Sequence, residues 1–252
     1  MKITSVKKIK PEQYEVLLSN GSTIILYEDV IVNNSLLNKE IDDGLYNKIL
    51  KENESSKLEF DAIKYIEKKM RCESELRDYL YTKQTDNELI NKIVSKLKDM
   101  KLIDDKSFAI CYAKDKYNIN KYGINKIING LNEYGIDEDI IENAISFISS
   151  SDQLERINKI VERYINANKK DSIIKLKNKL SNHLYDKGYP KELINSVLNS
   201  ISINNDNTVK KQYDKLYKKY SKKYEGDELN TMISNNLKRL GFSYEDINKL
   251  DI

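Results

Sequence analysis

The spacing of apolar residues changes once along the chain. Over the first thirty residues apolar positions tend to alternate, as at Tyr14, Val16 and Leu18, which is typical of β-strands. Asn20-Gly21 follows, a pair favoured in tight hairpins because both turn positions need a positive φ. A sheet this small needs support. The pattern predicts a strand over 3–9, a hairpin or three-stranded meander, and supporting helices near 28–33 and 40–54.

From about residue 57 the apolar residues recur with helical spacing, and the pattern repeats. Each repeat has a leucine, three further residues, a pivot residue that is usually glycine, an apolar residue and then a helix start. The pivots are 51, 53 and 53 residues apart. The leucine and pivot pairs are Leu80 and Gln84, Leu131 and Gly135, Leu184 and Gly188, and Leu237 and Gly241.

This pattern has a simple physical meaning. Glycine supplies the left-handed residue that ends a helix, and Asp, Ser or Pro then begins the next one. Each repeat also opens with a longer helix, expected near 58–70, 105–118, 152–167 and 208–224. Units of about 50 residues are marginal alone, so neighbours should stack. We predict a mainly α fold of tandem three-helix, helix-turn-helix-like repeats in an elongated curved array after a small N-terminal β region.

The predicted organisation has five parts. The β-containing region comes first, and the last repeat is truncated because its third helix has little chain left. The boundaries are 1–56 for the N-terminal β-containing domain, 57–103, 104–150 and 151–204 for repeats one to three, and 205–252 for repeat four.

Composition excludes several kinds of chemistry. The 252 residues include one histidine and two cysteines that are far apart, so a histidine-rich metal site or a disulfide framework is not expected. Nucleotide-binding and hydrolase motifs are absent. No apolar run is long enough for a membrane span, and the N-terminus has no signal-peptide pattern. We therefore expect a cytoplasmic, monomeric binding protein without catalytic residues, cofactors or metals.

The charge distribution leaves two interpretations open. The total is +3, but residues 151–252 carry 20 basic and 14 acidic side chains, whereas residues 1–150 carry 23 and 26. Such asymmetry can mark a surface for DNA or for an acidic partner. The alternative is that these lysines are ordinary solvated surface residues.

An ordered set of short motifs resembles the RecX family of recombination regulators. The stretch from Ala62 to Lys83 is similar to its first-repeat signature, residues 97–116 to its IDD and FA junction, and residues 121–136 to its second repeat. Each motif is weak alone, but their order and spacing are specific. The resemblance covers essentially the whole chain, including the N-terminal hairpin and a fourth repeat.

The resemblance implies a function. RecX proteins bind the RecA recombinase, lodge along its filament on DNA and modulate its recombinase, ATPase and coprotease activities, usually by inhibition, in DNA repair and the SOS response. The family has no catalytic residues to transfer to this chain. This sequence departs from the family at Cys72, which stands where Ser or Thr would cap a helix, while Glu75 is kept; a thiol accepts hydrogen bonds poorly, so this helix start should be weaker.

Six residues are candidates for partner binding. Arginines near a signature helix, and lysines beside a glycine at a helix start, suit contacts to anions. Alternatively, Arg71 pairs with Glu75 and Arg77 with a local carboxylate, and the glycine permits close packing. The candidates are Arg71, Glu75, Arg77, Lys121, Gly123 and Lys126.

Four further lysines are candidates for DNA contact. They are interleaved with tyrosines at positions 213, 217, 220 and 224, a combination that can stack on single-stranded DNA. The alternative is that the tyrosines form a core stripe with the lysines on the opposite side. The candidate lysines are Lys218, Lys219, Lys222 and Lys223. Two hypotheses therefore remain: a regulator that binds the RecA filament, with weak direct binding of single- or double-stranded DNA, or an autonomous DNA-binding protein.

Overall fold

Helices dominate the computed structural model, which describes residues 1–168, 171–201 and 206–250. A three-stranded antiparallel sheet lies at the N-terminus, in the order β1 (Ile3–Lys10), β2 (Gln13–Leu18) and β3 (Thr23–Tyr27). No strand follows within the described residues. The predicted mainly α fold with a small N-terminal β region is therefore confirmed.

The sheet buries one face against the first helices. Val16, Leu18 and Leu26 are almost fully buried with residues of α1 (Glu28–Asn33). Burying these side chains contributes about 1.5–3 kcal/mol each. The turn between β2 and β3 differs from the prediction, because Gly21 alone has a positive φ, of 85°. Asn20 keeps an ordinary φ and instead accepts the Ser22 N–H with its Oδ1 at 3.0 Å, which is typical of asparagine in turns.

The helix predicted near 40–54 and the one predicted near 58–70 are a single helix. This helix, α2 (Asp43–Ile66), begins at an Asp42 cap and contains no proline, and its glycine lies in the first turn. Nothing in residues 52–58 interrupts helix formation, since these residues include Glu, Lys and Leu with high helix propensity. The first half of α2 therefore supports the sheet, and the second half opens the first three-helix repeat.

The repeats are built as the sequence predicts. The first contains the end of α2 with α3 and α4; the next three are α5–α7, α8–α10 and α11–α13. The helix predicted to reach residue 224 ends at Tyr220, and α13 is only five residues long. The bounds are α3 (Glu73–Tyr81), α4 (Asn87–Asp99), α5 (Asp105–Asn118), α6 (Ile124–Glu133), α7 (Glu138–Ile145), α8 (Ser150–Ala167), α9 (Ile173–Asp186), α10 (Lys191–Ser200), α11 (Asp206–Tyr220), α12 (Gly226–Arg239) and α13 (Tyr244–Asn248).

Three of the four pivots end a helix in the predicted way. Gly135, Gly188 and Gly241 have φ values of 69°, 82° and 85°. The apolar residue after each donates its N–H back to the repeat leucine, at 3.2 Å in every case, as in a Schellman motif. Gln84 lacks the positive φ and accepts the Thr85 N–H with its side chain. The local pattern therefore specifies the turn wherever glycine is present.

The chain divides into two compact units, Met1–Phe108 and Ala109–Ile252. The first holds the sheet core and the core of the first repeat, which includes Leu76, Leu80 and Leu97. The second unit holds separate apolar clusters in the third and fourth repeats of the chain, around Leu180 and Ile233. In the described part of the chain, no helix is long and apolar enough to span a membrane.

Candidate partner-binding surfaces

Arg71 lies in a tight cluster in front of α3, here called the Arg71 cluster: Tyr65, Lys69, Arg71, Glu75 and Tyr79. The Arg71 Nη1 donates to Glu75 Oε1 at 2.7 Å, and the Lys69 Nζ reaches the same oxygen at 3.0 Å. The guanidinium lies 4.1 Å from the centre of the Tyr65 ring, and that ring stacks on Tyr79 at 4.1 Å.

The cluster is mostly closed to solvent. The Arg71 and Glu75 side chains are only 15% and 16% exposed, and the Arg71 Nε is buried with no hydrogen-bond partner among the described residues. Burial raises the pKa of Glu75, but hydrogen bonds from Lys69 and Arg71 outweigh burial and hold the pKa below its ordinary value. The predicted pairing of Arg71 with Glu75 is present, so both residues already have a role in the fold.

Arg77 lies on the other side of α3 in a second ion-pair group. Its Nε donates to Glu73 Oε1 at 2.7 Å and its Nη1 to Asn91 Oδ1 at 2.7 Å. Lys98 donates to the other Glu73 oxygen at 2.5 Å. Burial alone raises the pKa of Glu73, whereas hydrogen bonds from Lys98 and Arg77 lower it below its ordinary value. These bonds join α3 to α4.

The start of α3 is capped from a distant residue. Cys72 forms no side-chain capping bond, as the sequence predicts, and the Glu73 N–H donates instead to Asp105 Oδ1 at 2.8 Å. Burial raises the pKa of Asp105, and the bond from the Glu73 N–H only partly offsets this. The two neighbouring carboxylates Asp104 and Asp105 cap different helices. Asp104, as expected for the residue just before α5, caps that helix and accepts the Lys106 N–H at 3.0 Å, whereas Asp105 caps α3.

Gly123 lies at a contact between two repeats, which we call the Gly123 junction: residues 120–126 with residues 186–189. The Gly123 N–H donates to Lys187 O at 2.7 Å, and the Asn125 N–H donates to Gly188 O at 3.1 Å. A Cβ on Gly123 would lie 2.4 Å from the backbone of Gly188 and Tyr189. Two backbones touch here, so glycine is required at position 123.

The lysines of the junction contact carbonyls and an aromatic ring. The Lys126 Nζ donates to Asp186 O at 2.9 Å and lies 4.7 Å from the Tyr122 ring centre; Lys187 lies 5.2 Å from the same ring. The Lys121 Nζ donates to Asn118 O, and Lys121 O accepts the Tyr189 hydroxyl at 3.0 Å. Lys121 and Lys126 are exposed; Lys126 lines an open cleft of about 600 Å³, and Lys121 lines a separate cleft of about 470 Å³.

Several residues of this region were not singled out from the sequence. The buried Gln153 accepts the Ile124 N–H at 3.2 Å, so α6 is capped by a residue of α8. Arg156 lies 3.6 Å from the Tyr117 ring centre and donates to Tyr117 O. Burial raises the pKa of Tyr189 to about 12. A buried glutamine has no distinctive sequence pattern, although Tyr189 holds the apolar position after a pivot.

The next pair of repeats meets in a related way. Gly241 lies against Ser172, the N-cap of α9, whose Oγ donates to Leu240 O at 2.8 Å. The same Oγ accepts the Lys175 N–H at 3.4 Å. A pivot glycine therefore packs on the start of the middle helix of the preceding repeat at both contacts within the second unit.

The four candidate DNA-contact lysines, Lys218, Lys219, Lys222 and Lys223, are all exposed. The tyrosine stripe is only partly a core stripe. Tyr213, Tyr220 and Tyr224 pack against the fourth-repeat core, but Tyr217 is 45% exposed on the lysine side. The core stripe of α11 passes through Leu216 instead, since positions 209, 213, 216 and 220 share one helical face.

Within the described residues, no metal-binding group is assembled, and the single histidine is exposed. The described residues contain no group of three or more His, Cys, Asp or Glu side chains placed to hold a metal. His183 is exposed, and its ring centre lies 6.1 Å from that of Tyr164.

Comparisons with known proteins agree with this arrangement. Family models match residues 61–97 as the first three-helix domain of RecX, 104–145 as the second and 151–198 as the third. Regulatory protein RecX of Bacillus mycoides (strain KBAB4) is 31% identical over 227 residues, which are 86% of this chain and 84% of that protein. Regulatory protein RecX of Streptococcus agalactiae serotype Ia is 31% identical, with 98% and 97% covered.

Solved structures resemble the fold. One crystal structure of a regulatory protein RecX has a TM-score of 0.66 at 23% identity, covering 76% of this chain and 96% of the other. The crystal structure of RecX from Lactobacillus salivarius has a TM-score of 0.54 at 28% identity, covering 58% and 95%.

Proposed function

The chain belongs to the RecX family of regulatory proteins, and we propose on that premise that it binds the filament formed by the recombinase RecA on DNA. Binding there inhibits the recombinase, ATPase and coprotease activities of the filament. The protein acts by contact alone, without a catalytic residue, cofactor or metal. Its place is the cytoplasm, in DNA repair and the SOS response, and free Cys72 and Cys111 are compatible with that reducing compartment.

The observation that carries the proposal is the repeated contact between neighbouring repeats. At Gly123 and Gly188, and again at Ser172 and Gly241, a pivot turn packs on the first turn of a middle helix. Units stacked by the same contact present equivalent surfaces at regular intervals. A protein filament also presents identical surfaces at regular intervals, so it is a matching partner.

We assign the filament contact to the exposed lysines of the Gly123 junction. Lys121 and Lys126 are exposed at two separate clefts, whereas Gly123 is buried in the contact between repeats. Arg71, Glu75 and Arg77 are held in ion pairs within the first repeat and support the surface around α3. Exposed lysines can meet acidic side chains or DNA phosphates and mainly raise the association rate.

The test is ATP hydrolysis by the cognate RecA on single-stranded DNA, titrated with the full-length protein. We expect inhibition at substoichiometric amounts. The variant Lys121→Glu with Lys126→Glu should need about ten times more protein for half inhibition, because it reverses two contact charges. Lys114→Glu with Lys191→Glu, which reverses two other exposed lysines, should stay within about twofold of the parent. Lack of inhibition by the unaltered protein would contradict the proposal.

A second function, direct DNA binding, is favoured by the surface of α11. Exposed lysines precede and follow the exposed Tyr217 in sequence, which combines phosphate neutralisation with a stacking surface. We expect weak binding of single-stranded DNA without RecA. The lysines of this surface are Lys210, Lys211, Lys215, Lys218, Lys219, Lys222 and Lys223.

The salt dependence of DNA binding separates the two functions. Replacing Lys218, Lys219, Lys222 and Lys223 with glutamine should reduce the slope of log affinity against log salt by up to about 3. Glutamine at four exposed lysines of the first unit, Lys51, Lys57, Lys68 and Lys92, should leave the slope unchanged. If the affinity of the parent for DNA falls steeply as salt rises and the parent has no effect on RecA, direct DNA binding is its function.

A further inference from the structure

The two edges of the N-terminal sheet differ. The β3 edge is closed by Asn53 of α2, whose Nδ2 donates to Ile25 O and whose Oδ1 accepts the Tyr27 N–H, both at 2.9 Å. These two bonds are the ones that a residue of a neighbouring strand would make. A single carboxamide therefore takes the place of a fourth strand on this side.

The β1 edge has no such closure. Beyond its pairing with β2, the backbone of Ile3–Lys10 forms no hydrogen bond to another described residue. Only the position before the strand is closed, where Met1 and Ile41 exchange backbone hydrogen bonds. Six of the eight residues of β1 are exposed, and β1 is longer than β2 or β3. Unpaired N–H and C=O groups in such an edge can pair with another strand.

The positive charge of β1 favours some partner strands over others. Lys7, Lys8 and Lys10 lie in or at the end of the strand, which has no acidic residue. Within the described residues none of the three forms an ion pair, although Lys8 lies 5.5 Å from the Tyr14 ring centre. Like charges on adjacent strands are destabilising. A second copy of β1 is therefore disfavoured, and an acidic strand is favoured.

We propose that the β1 edge binds an extended acidic segment of a partner protein, which adds to the sheet as a fourth strand. Backbone hydrogen bonds provide the binding energy, and Lys7, Lys8 and Lys10 select for Asp or Glu on both sides of the added strand. Exposed charges of this kind are screened by salt, so binding weakens as ionic strength rises.

The test is amide hydrogen exchange of the full-length protein with two blocked octapeptides. The first alternates Glu with Val, and the control alternates Lys with Val. We expect the Glu peptide alone to protect amides within Ile3–Lys10. The triple variant Lys7→Glu, Lys8→Glu, Lys10→Glu should weaken binding of the Glu peptide about tenfold or more at low salt. The matched variant Lys51→Glu, Lys68→Glu, Lys92→Glu should stay within about twofold.

Four results would overturn the inference. The first three are no protection of β1 amides at millimolar Glu peptide, equal protection by both peptides, and protection that falls on another element. Sedimentation that reveals a dimer with β1 already protected would assign the edge to a second copy instead. Because no recombinase is used, failure here leaves the proposed regulation of RecA unaffected.

Discussion

The starts of α3 and α6 both lack a capping side chain of their own, but they are stabilised by different kinds of contact. Both begin the middle helix of a repeat at a residue that cannot cap well, Cys72 or Gly123. Each first N–H is accepted by a side chain from the first helix of the next repeat, Asp105 for α3 and Gln153 for α6. Around α3 the remaining contacts are ion pairs. Around α6 they include two hydrogen bonds between backbones, donated by the Gly123 and Asn125 N–H groups.

The difference decides what each helix start tolerates. The ion pairs of Glu73 and Glu75 are partly buried contacts between flexible side chains, which can adjust when a neighbour changes. The Gly123 junction has no such freedom, because the groups in contact are backbone atoms. The stability of the α3 start should therefore depend on pH and on charge substitutions. The stability of the α6 start should depend on whether a side-chain atom is added at Gly123.

The largest effect should come from Gly123→Ala. Its Cβ would lie 2.4 Å from backbone atoms of Gly188 and Tyr189, so the contact must open and two hydrogen bonds must lengthen. We expect a loss of about 3 kcal/mol in urea unfolding. The control is Gly135→Ala, where the φ of 69° is strained but an added Cβ has no neighbour within 4 Å among the described residues. That loss should be about 1 kcal/mol, and equal losses would show that the junction is loosely packed.

The next effect concerns the distant caps. Asp105→Ala and Gln153→Ala each leave a helix N–H without its acceptor, at a cost of about 1–2 kcal/mol by urea unfolding. Asp105→Asn keeps an acceptor oxygen and removes a partly buried charge, so it should cost less than about 0.5 kcal/mol. If the asparagine variant is as unstable as the alanine variant, the charge of Asp105 rather than its hydrogen bond supports α3.

The pH dependence should distinguish the two helix starts. Glu73 and Glu75 have folded-state pKa values below the ordinary 4.5, so their contribution is present above that value and is lost as pH falls through the folded pKa. Asp105 acts with the opposite sign, because its folded pKa is raised. Between about pH 6 and pH 3 the parent should lose about 1 kcal/mol more than Glu75→Gln. Identical losses would exclude a role for the Arg71 cluster in acid sensitivity.

The smallest effect should come from Cys72→Ser. Serine restores a capping oxygen, with Glu75 three residues later, but it replaces a fully buried sulfur. We expect a change within about 0.5 kcal/mol in the parent and the same change in the Asp105→Ala background, because serine would accept the N–H of Glu75 whereas Asp105 accepts that of Glu73. The two backgrounds are compared by urea unfolding. Unequal effects would mean that the serine at position 72 also accepts the Glu73 N–H.

Local patterns predicted much of the fold. The alternation at Tyr14–Leu18, the glycine pivots and the helix starts all depend on neighbours in sequence, and the structure confirms them at Gly135, Gly188 and Gly241. Apolar spacing alone predicts two helices where the structure has the single helix α2. The residues between them are polar, and their helix propensity is visible only when residue type is considered as well. Of the two interpretations of the α11 tyrosines, the core stripe holds for Tyr213, Tyr220 and Tyr224 but not for Tyr217, because Leu216 packs on the core instead.

The sequence by itself determined the repeat, its turns, the weak cap at Cys72 and the family, because each depends on residue type and spacing over a few helical turns. Only the tertiary structure decided which side chains complete those turns. Asp105 reaches Glu73 across 32 residues and Gln153 reaches Ile124 across 29. Gly123 meets Gly188 across a longer separation still. Such partners are set by how helices pack, and packing depends on the summed shape of the core rather than on any local pattern.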